Sequence, residues 1–197
     1  MSKYVYITEP DTPGNETVLF YGVNNVDYTS RLRDGESMDS NWSDNAYIEM
    51  ASEFGKIKHL GDFMQSYDGP ILSEKAKTVF EKVFGDEVEL LPVAVQTEKG
   101  KKVDGIYYVL NVLNAIDAID FDQLEEVDKE EDSDKVDCVW DEELKFKENS
   151  SFPFIFRDKQ YNHAIFMEAD KAKELDKVKL KTFNYLSTDE YDHYETM

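Results

Sequence analysis

The sequence predicts an α+β fold, with a mixed or antiparallel sheet and a few helices. Strand-like segments, rich in β-branched and aromatic residues, occur at residues 3–8, 17–23, 88–97 and 106–112. Only two segments show the spacing of an amphipathic helix, at residues 73–86 and 169–177. Because strands outnumber helices and do not alternate regularly with them, a doubly wound α/β sheet is disfavoured.

The helix at residues 73–86 is the most clearly defined element. Ser73 is a favourable N-cap residue, and Gly85 is placed to end the helix. Between these two residues, apolar side chains recur at helical spacing and form one stripe: Ala76, Val79, Phe80, Val83 and Phe84. We expect this stripe to face the core.

Several further elements follow from local patterns. Residues 88–97 and 106–112 are expected to pair as a hairpin, and residues 152–158 and 163–168 as a buried strand pair. Residues 138–146 alternate only partly, whereas residues 178–186 alternate cleanly and predict a half-exposed strand. Residues 24–44 are polar and predict a long loop.

The chain length suits one large domain or a domain with a smaller appended part, since the chain has 197 residues. We predict a β-rich subdomain or extension at residues 1–60 and an α+β domain at residues 61–197. No segment resembles a signal peptide or a membrane span, and Cys138 is the only cysteine, so a cytoplasmic protein is expected.

Charge is the most unusual property of the chain. It has 43 acidic and 22 basic side chains, a formal net charge of −21. Such a surface repels phosphate backbones and anionic lipids, so neither nucleic acid nor membrane is an expected partner. A basic protein would instead be attracted over long range, which raises association rates.

Much of this charge lies in one place, residues 117–143, here called the acidic segment. It contains fourteen acidic residues and two lysines. Its first carboxylates, Asp117, Asp120 and Asp122, follow an apolar run and leave three alternatives open: a metal site, the end of a strand, or the edge of a surface for a basic partner. The sequence does not match a calcium loop, because the glycine that its sharp turn requires is missing.

Catalytic motifs are not found. There is no glycine-rich phosphate loop, nucleophile elbow or HExxH sequence. His163 lies in an apolar neighbourhood and is interpreted as structural, and Cys138, without a basic neighbour in sequence, as a small core residue. No cofactor is expected.

The order of four segments resembles the bacterial immunity protein 11-like family of polymorphic toxin systems. The segments are residues 61–83 (GDFMQSYDGPILSEKAKTVFEKV), 89–95 (ELLPVAV), 107–122, where Asn111, Asp117 and Asp120 take matching positions, and 154–175. Glu168 stands where the family tends to have a serine opening the last helix. The resemblance implies a protein that binds and neutralises a cognate toxin by occlusion and catalyses no reaction.

The sequence thus favours an immunity protein whose acidic segment and nearby aromatic residues contact a basic toxin. Two alternatives remain: a divalent-metal hydrolase using Asp117, Asp120 and Asp122, and an acidic interaction protein unrelated to toxins. The predicted contact residues are Asp120, Asp122, Glu125, Glu126, Asp128, Glu130, Glu131, Tyr191 and Tyr194.

Overall fold

A computed structural model of the chain describes residues 3–8, 20–50, 60–129, 133–140, 143–148 and 151–190. Within these residues the chain forms thirteen strands and two α-helices, which confirms the α+β class. The strands are β1 (Tyr4–Thr8), β2 (Phe20–Asn24), β3 (Tyr47–Met50), β4 (Phe63–Met64), β5 (Ile71–Ser73), β6 (Val88–Thr97), β7 (Tyr107–Val112), β8 (Ala115–Ile116), β9 (Val127–Lys129), β10 (Val136–Val139), β11 (Ile155–Asp158), β12 (Phe166–Glu168) and β13 (Asn184–Ser187). The helices are α1 (Glu74–Phe84) and α2 (Ala169–Asp176). Neither described helix has the length and apolar character needed to cross a bilayer.

The strands form two larger sheets and one hairpin. The first sheet has the order β2-β3-β6-β7-β5-β4, the second has the order β13-β1-β12-β11-β8, and β9 pairs with β10. Parallel pairing occurs between β3 and β6 and between β11 and β8, while the other pairs are antiparallel. β1 and β3 each lie in a sheet with strands from beyond residue 60, and the predicted domain boundary there stays a prediction.

Two predicted hairpins are confirmed. β6 and β7 pair antiparallel from Val88 opposite Val112 to Val93 opposite Tyr107. β11 and β12 pair through Ile155 with Met167 and Phe156 with Phe166. The side chains of β11 and most of β12 are buried on both faces, whereas residues 91–95 of β6 alternate between buried and exposed.

Three apolar cores follow from this arrangement. In β1, Val5 and Ile7 face a central core with α1 and α2, whereas Tyr4 and Tyr6 face the core beneath the β9–β10 hairpin. The third core lies on the other face of the six-stranded sheet, around Ile48 and Val109. Strand β1 of the second sheet is therefore buried on both faces, and the β9–β10 hairpin covers one of these faces.

Helix α1 follows its sequence signals. Ser73 is the N-cap residue, and its side chain accepts a hydrogen bond from the Ala76 N–H. Gly85 ends the helix with φ of 54°, a conformation that glycine adopts without a steric cost. Of the predicted stripe, Ala76, Phe80 and Phe84 are buried, and Val79 and Val83 pack at the edge of the central core. Helix α2 begins after Glu168, whose side chain makes no capping hydrogen bond.

The predicted strand at residues 178–186 is wrong for most of its length. Lys179 and Thr182 have φ of 52° and 59°, outside the range of a strand, and the strand β13 begins only at Asn184. The Lys181 N–H donates to the Asp62 carboxylate, and its carbonyl accepts from the Asp62 and Phe63 N–H groups. Hydrogen bonds to a distant part of the chain therefore override the strand that the local alternating pattern predicts.

Two other local predictions hold in part. The partly alternating run at residues 138–146 contributes only the end of β10, and Phe146 makes an isolated bridge with Ile119. The polar run at residues 24–44 is a loop that contains one short 3-10 helix, Thr29–Leu32.

Candidate partner-binding surface

The acidic segment is anchored by its apolar residues. Ala118 and Ile119 precede a 3-10 turn at Phe121–Gln123, and Val136 and Val139 come from β10. All four are buried in the core beneath the hairpin, with Phe121, Leu124 and Val127 packed around them. The described part of the segment is therefore folded, because these apolar side chains anchor it in the core.

The acidic side chains point the other way. Those exposed are Asp117, Asp122, Glu125, Glu126, Asp128, Asp134, Asp137 and Glu143, while Asp120 is half-buried. The alternation of a strand separates the two classes, so that buried Val136 is followed by exposed Asp137. One face of the hairpin consequently presents closely spaced carboxylates to solvent.

Two lysines pair with acids at the margins of this face. Lys147 pairs with Asp117 at 2.5 Å, and Lys145 pairs with Glu143. Lys135 pairs with Asp34, outside the segment, at 2.7 Å. Within the described part of the chain, no lysine or arginine lies at ion-pair distance from the exposed acids Asp122, Asp128, Asp134 and Asp137. Their charge remains available to a cationic partner.

An aromatic residue lies among these carboxylates. Trp140 follows β10, is 38% exposed, and donates from Nε1 to Asp128 Oδ2 at 2.9 Å. Its backbone N–H donates to the Glu126 carbonyl at 2.9 Å, which fixes its position beside β9. A held tryptophan within a charged surface is a common feature of interface centres.

Cys138 is half-buried in the same hairpin. Burial, and then the nearby Asp137 and Asp128 carboxylates, raise the pKa of its thiol above the ordinary value. The thiolate is therefore disfavoured. The interpretation of Cys138 as a small core residue holds only in part, because its side chain is half-buried.

Of the predicted contact residues, the structure places Asp120, Asp122, Glu125, Glu126 and Asp128 together on the hairpin and the turn before it. Glu130, Glu131, Tyr191 and Tyr194 lie outside the described residues. Trp140 was not among the predicted contacts. Its position next to the acidic run was the available signal.

The hydrolase alternative gains no support from the geometry. Asp117 is paired with Lys147, and Asp120 accepts a hydrogen bond from the Gln123 side chain. Across the ranges that the structure describes, no three His, Cys, Asp or Glu side chains converge in a way that could hold a metal ion.

Asn111, one of the residues in a position that matches the family, has a structural role. It is buried in β7, and its Nδ2 donates to the Glu36 carbonyl and to Glu89 Oε2, each at 2.9 Å. Glu89 also accepts from the Met38 N–H at 2.9 Å. Asn111 therefore ties the loop of residues 36–39 to the sheet.

The end of the strand, one of the alternatives open for Asp117, is not closed by that residue, which is exposed and paired with Lys147. Asp158, at the end of β11, takes that role from forty residues away. It is fully buried, and its Oδ2 accepts from the Ala118 and Ile119 N–H groups, each at 2.8 Å. Its Oδ1 accepts from the Gln160 N–H at 2.7 Å and the Tyr161 N–H at 3.2 Å. This carboxylate fixes the start of the acidic segment.

The segment at residues 61–83 also has a structural explanation. Asp62 accepts from the Ser73 hydroxyl at 2.7 Å, from the Lys181 N–H at 2.8 Å and from Lys75 at 3.3 Å. Burial opposes ionisation of Asp62, but the Lys181, Ser73 and Lys75 donors outweigh it and lower its pKa below the ordinary value. The aspartate and the serine of this segment thus clamp the start of α1 to the chain after α2.

No curated protein matches the chain significantly. A family model does match it over residues 27–188, a range that includes Asn111, Asp158, the described part of the acidic segment and both helices. That family is described as an immunity protein family, Imm11, in agreement with the resemblance in the sequence, and it implies a toxin as partner. The chain belongs to the Imm11 immunity protein family.

Proposed function

We propose that the protein binds and neutralises a basic cognate toxin by occlusion, in the cytoplasm, with the acidic segment as its main contact surface. The supporting observation is the exposed acidic face of the β9–β10 hairpin and the turn before it, on which Asp122, Asp128, Asp134 and Asp137 have no cationic partner among the described residues. Family membership supports an immunity function, and the charge pattern supports this way of carrying it out.

The physical case rests on steering and on anchoring. A face of one charge sign attracts an oppositely charged protein and raises its association rate by 10- to 1,000-fold. The acids are held on a hairpin whose other side is packed into a core around Val136 and Val139. Because the described part of this surface is anchored in that core, binding requires little further ordering of its backbone.

Occlusion requires no chemistry from the inhibitor. The described surface offers charge, Trp140 and a half-buried thiol with a raised pKa, none of which is a catalytic arrangement. A carboxylate-rich face can also imitate the phosphates of a nucleic-acid substrate, and a nuclease is the toxin class that this feature fits best.

The experiment that tests binding is co-purification with the product of the toxin gene directly beside this gene, expressed in an inactive form. Binding of the wild-type protein to this inactive form, together with loss of activity when a stoichiometric amount of the protein is added to the active toxin, is the expected result. A toxin that is bound but remains active would contradict occlusion.

The contribution of the acidic segment is tested by charge reversal. The segment variant carries D122K, E125K, E126K and D137K, and the control variant carries D44K, E74K, D86K and D104K, exposed acids in parts of the chain associated with the six-stranded sheet. Both variants change the net charge equally. In stopped-flow measurements at low salt, we expect the segment variant to associate at least about tenfold more slowly and the control about two- to threefold more slowly. Equal rates for the two variants would exclude the segment as the contact surface.

A further inference from the structure

Two of the three arginines of the chain, Arg33 and Arg157, lie close enough for their charges to interact. Arg31 and Arg33 lie in and directly after the 3-10 helix Thr29–Leu32, and Arg157 lies in β11. The charge of Arg33 contributes to the environment of the Arg157 guanidinium. Arg31 is paired, since its Nε lies 2.5 Å from Glu36 Oε2.

Arg157 is a buried cation without a carboxylate partner in the described chain. It is 2% exposed, and its Nη1 donates to the Asn162 and His163 carbonyls at 2.7 and 3.1 Å. Its Nε has no hydrogen-bond partner. Burial, and then repulsion by Arg33, lower its pKa to about 9, so it remains charged at neutral pH. An unpaired buried charge is unusual where 43 acidic side chains are available.

Arg33 carries the second guanidinium without a described carboxylate partner, and it is nearer to solvent. Its Cζ lies 4.5 Å from the centre of the Tyr67 ring, and its Nη2 donates to the Tyr67 carbonyl. The guanidinium of arginine stacks on aromatic faces and presents its N–H groups in a rigid fork, which matches the geometry of a carboxylate. Tyr67 itself is 70% exposed.

The loop that carries Tyr67 is held on both sides. The Ser66 hydroxyl donates to the Gly69 carbonyl at 2.5 Å, and Asp68 Oδ2 accepts from the Val23 N–H at 2.6 Å. A bridge between Phe20 and Ser66 aligns this loop with β2, where Tyr21 is also exposed. A Cβ atom at Gly69 would lie 3.8 Å from Arg157 Nη2, so the loop passes directly over the buried guanidinium.

We propose that Arg33 and Tyr67, with Arg157 behind them, form a second contact surface, which receives a carboxylate side chain of the toxin. The proposal rests on the proposed function for the identity of the partner. Exposed, rigidly held arginine and tyrosine side chains are the residue types that carry most binding energy in protein interfaces. The two unpaired guanidinium groups determine that the complementary group is an anion.

Net charge selects among the sources of that anion. A nucleic-acid phosphate and a second copy of this chain are both repelled by a protein with a net charge of −21. A basic toxin is attracted as a whole and can still present one acid locally. The surface is also joined to the acidic segment, because Asp34, next to Arg33, pairs with Lys135 at the start of the β10 strand. One partner of ordinary interface size can therefore cover both surfaces.

The test compares R33Q and Y67A with R31Q, which changes a neighbouring arginine that already has its partner in Glu36. Affinity for the inactive product of the adjacent toxin gene is measured by surface plasmon resonance at physiological salt. We expect R33Q and Y67A each to weaken binding at least about tenfold, mainly through faster dissociation, and R31Q to stay within threefold. Urea unfolding checks that all three variants remain folded.

The carboxylate is identified by alanine substitution of the toxin's surface acids. One of them must weaken binding to the wild-type protein but have no effect on binding to R33Q. If the wild type binds the toxin and R33Q and Y67A bind it with the same affinity as R31Q, the proposal of a second contact surface is wrong, but the proposed function stands. If the wild type does not bind the toxin, both proposals fall. If R33Q alters only self-association in sedimentation, the occupant is a second copy, and the proposal is overturned.

Discussion

Asp158 gives the sharpest test of how the fold holds the acidic segment. The substitution D158N keeps the size of the side chain but leaves only one acceptor oxygen. In the best orientation that oxygen still faces the Ala118 and Ile119 N–H groups, and the amide then faces the Gln160 and Tyr161 N–H groups. Two hydrogen bonds to a charged acceptor are lost, at about 1.5 kcal/mol each, so the free energy of unfolding should fall by about 3 kcal/mol.

The matched control is D117N, forty-one residues earlier in the chain. Asp117 is exposed and its ion pair with Lys147 is at the surface, so D117N should cost between about 0 and 1 kcal/mol. Both variants are measured by urea unfolding, followed by far-UV circular dichroism and by tryptophan fluorescence, to which Trp140 beside the hairpin contributes. A loss below about 1 kcal/mol for D158N, or equal losses for the two variants, would refute the assignment of Asp158 as the residue that closes this end of the sheet.

Two further predictions concern titratable groups. Because the pKa of Asp62 is lowered in the folded protein, its ionised form stabilises the fold above the ordinary value of 3.8, and this contribution is lost as the pH falls through the folded-state pKa. Urea unfolding should therefore show D62N to be less stable than the wild type by about 1–2 kcal/mol at pH 7, and this difference should shrink below pH 4. A difference that does not change with pH would contradict the prediction. Because the pKa of the Cys138 thiol is raised, Ellman's reagent at pH 8 should react with Cys138 more slowly than it reacts with glutathione, and D137N should speed the reaction of Cys138. A rate for Cys138 above that of glutathione would contradict the burial of the thiol.

The structure also explains why the family resemblance could be recognised without a catalytic motif. Asn111 ties the loop of residues 36–39 to β7, and Asp62 clamps Ser73 and Lys181. These positions hold the fold together through hydrogen bonds between segments that are distant in sequence. The residues proposed for toxin contact are instead exposed acids and Arg33, which make few structural contacts. A resemblance carried by the first group therefore leaves the identity of the toxin open.

The sequence by itself determined those features whose causes are local. The N-cap at Ser73, the apolar stripe around Phe80 and the stop at Gly85 depend on residues within three turns of one another, and all are found in α1. The hairpin of β6 and β7 follows from two apolar runs around a short polar turn. Charge is also additive along the chain, so the acidic segment was evident before any fold was known.

Tertiary structure decided whatever depends on residues distant in sequence. Residues 178–186 alternate as a strand should, but hydrogen bonds to Asp62 hold Lys181 in a turn instead. The end of the strand is closed by the Asp158 carboxylate, and not by Asp117, which lies next to that strand end in sequence. The meeting of Arg33 with Arg157 required two loops to fold onto β11, with a bond from Asn162 to Asp34 across 128 residues. Periodicity and propensity carry no information on such pairings, because these arise only when the sheets and the central core assemble.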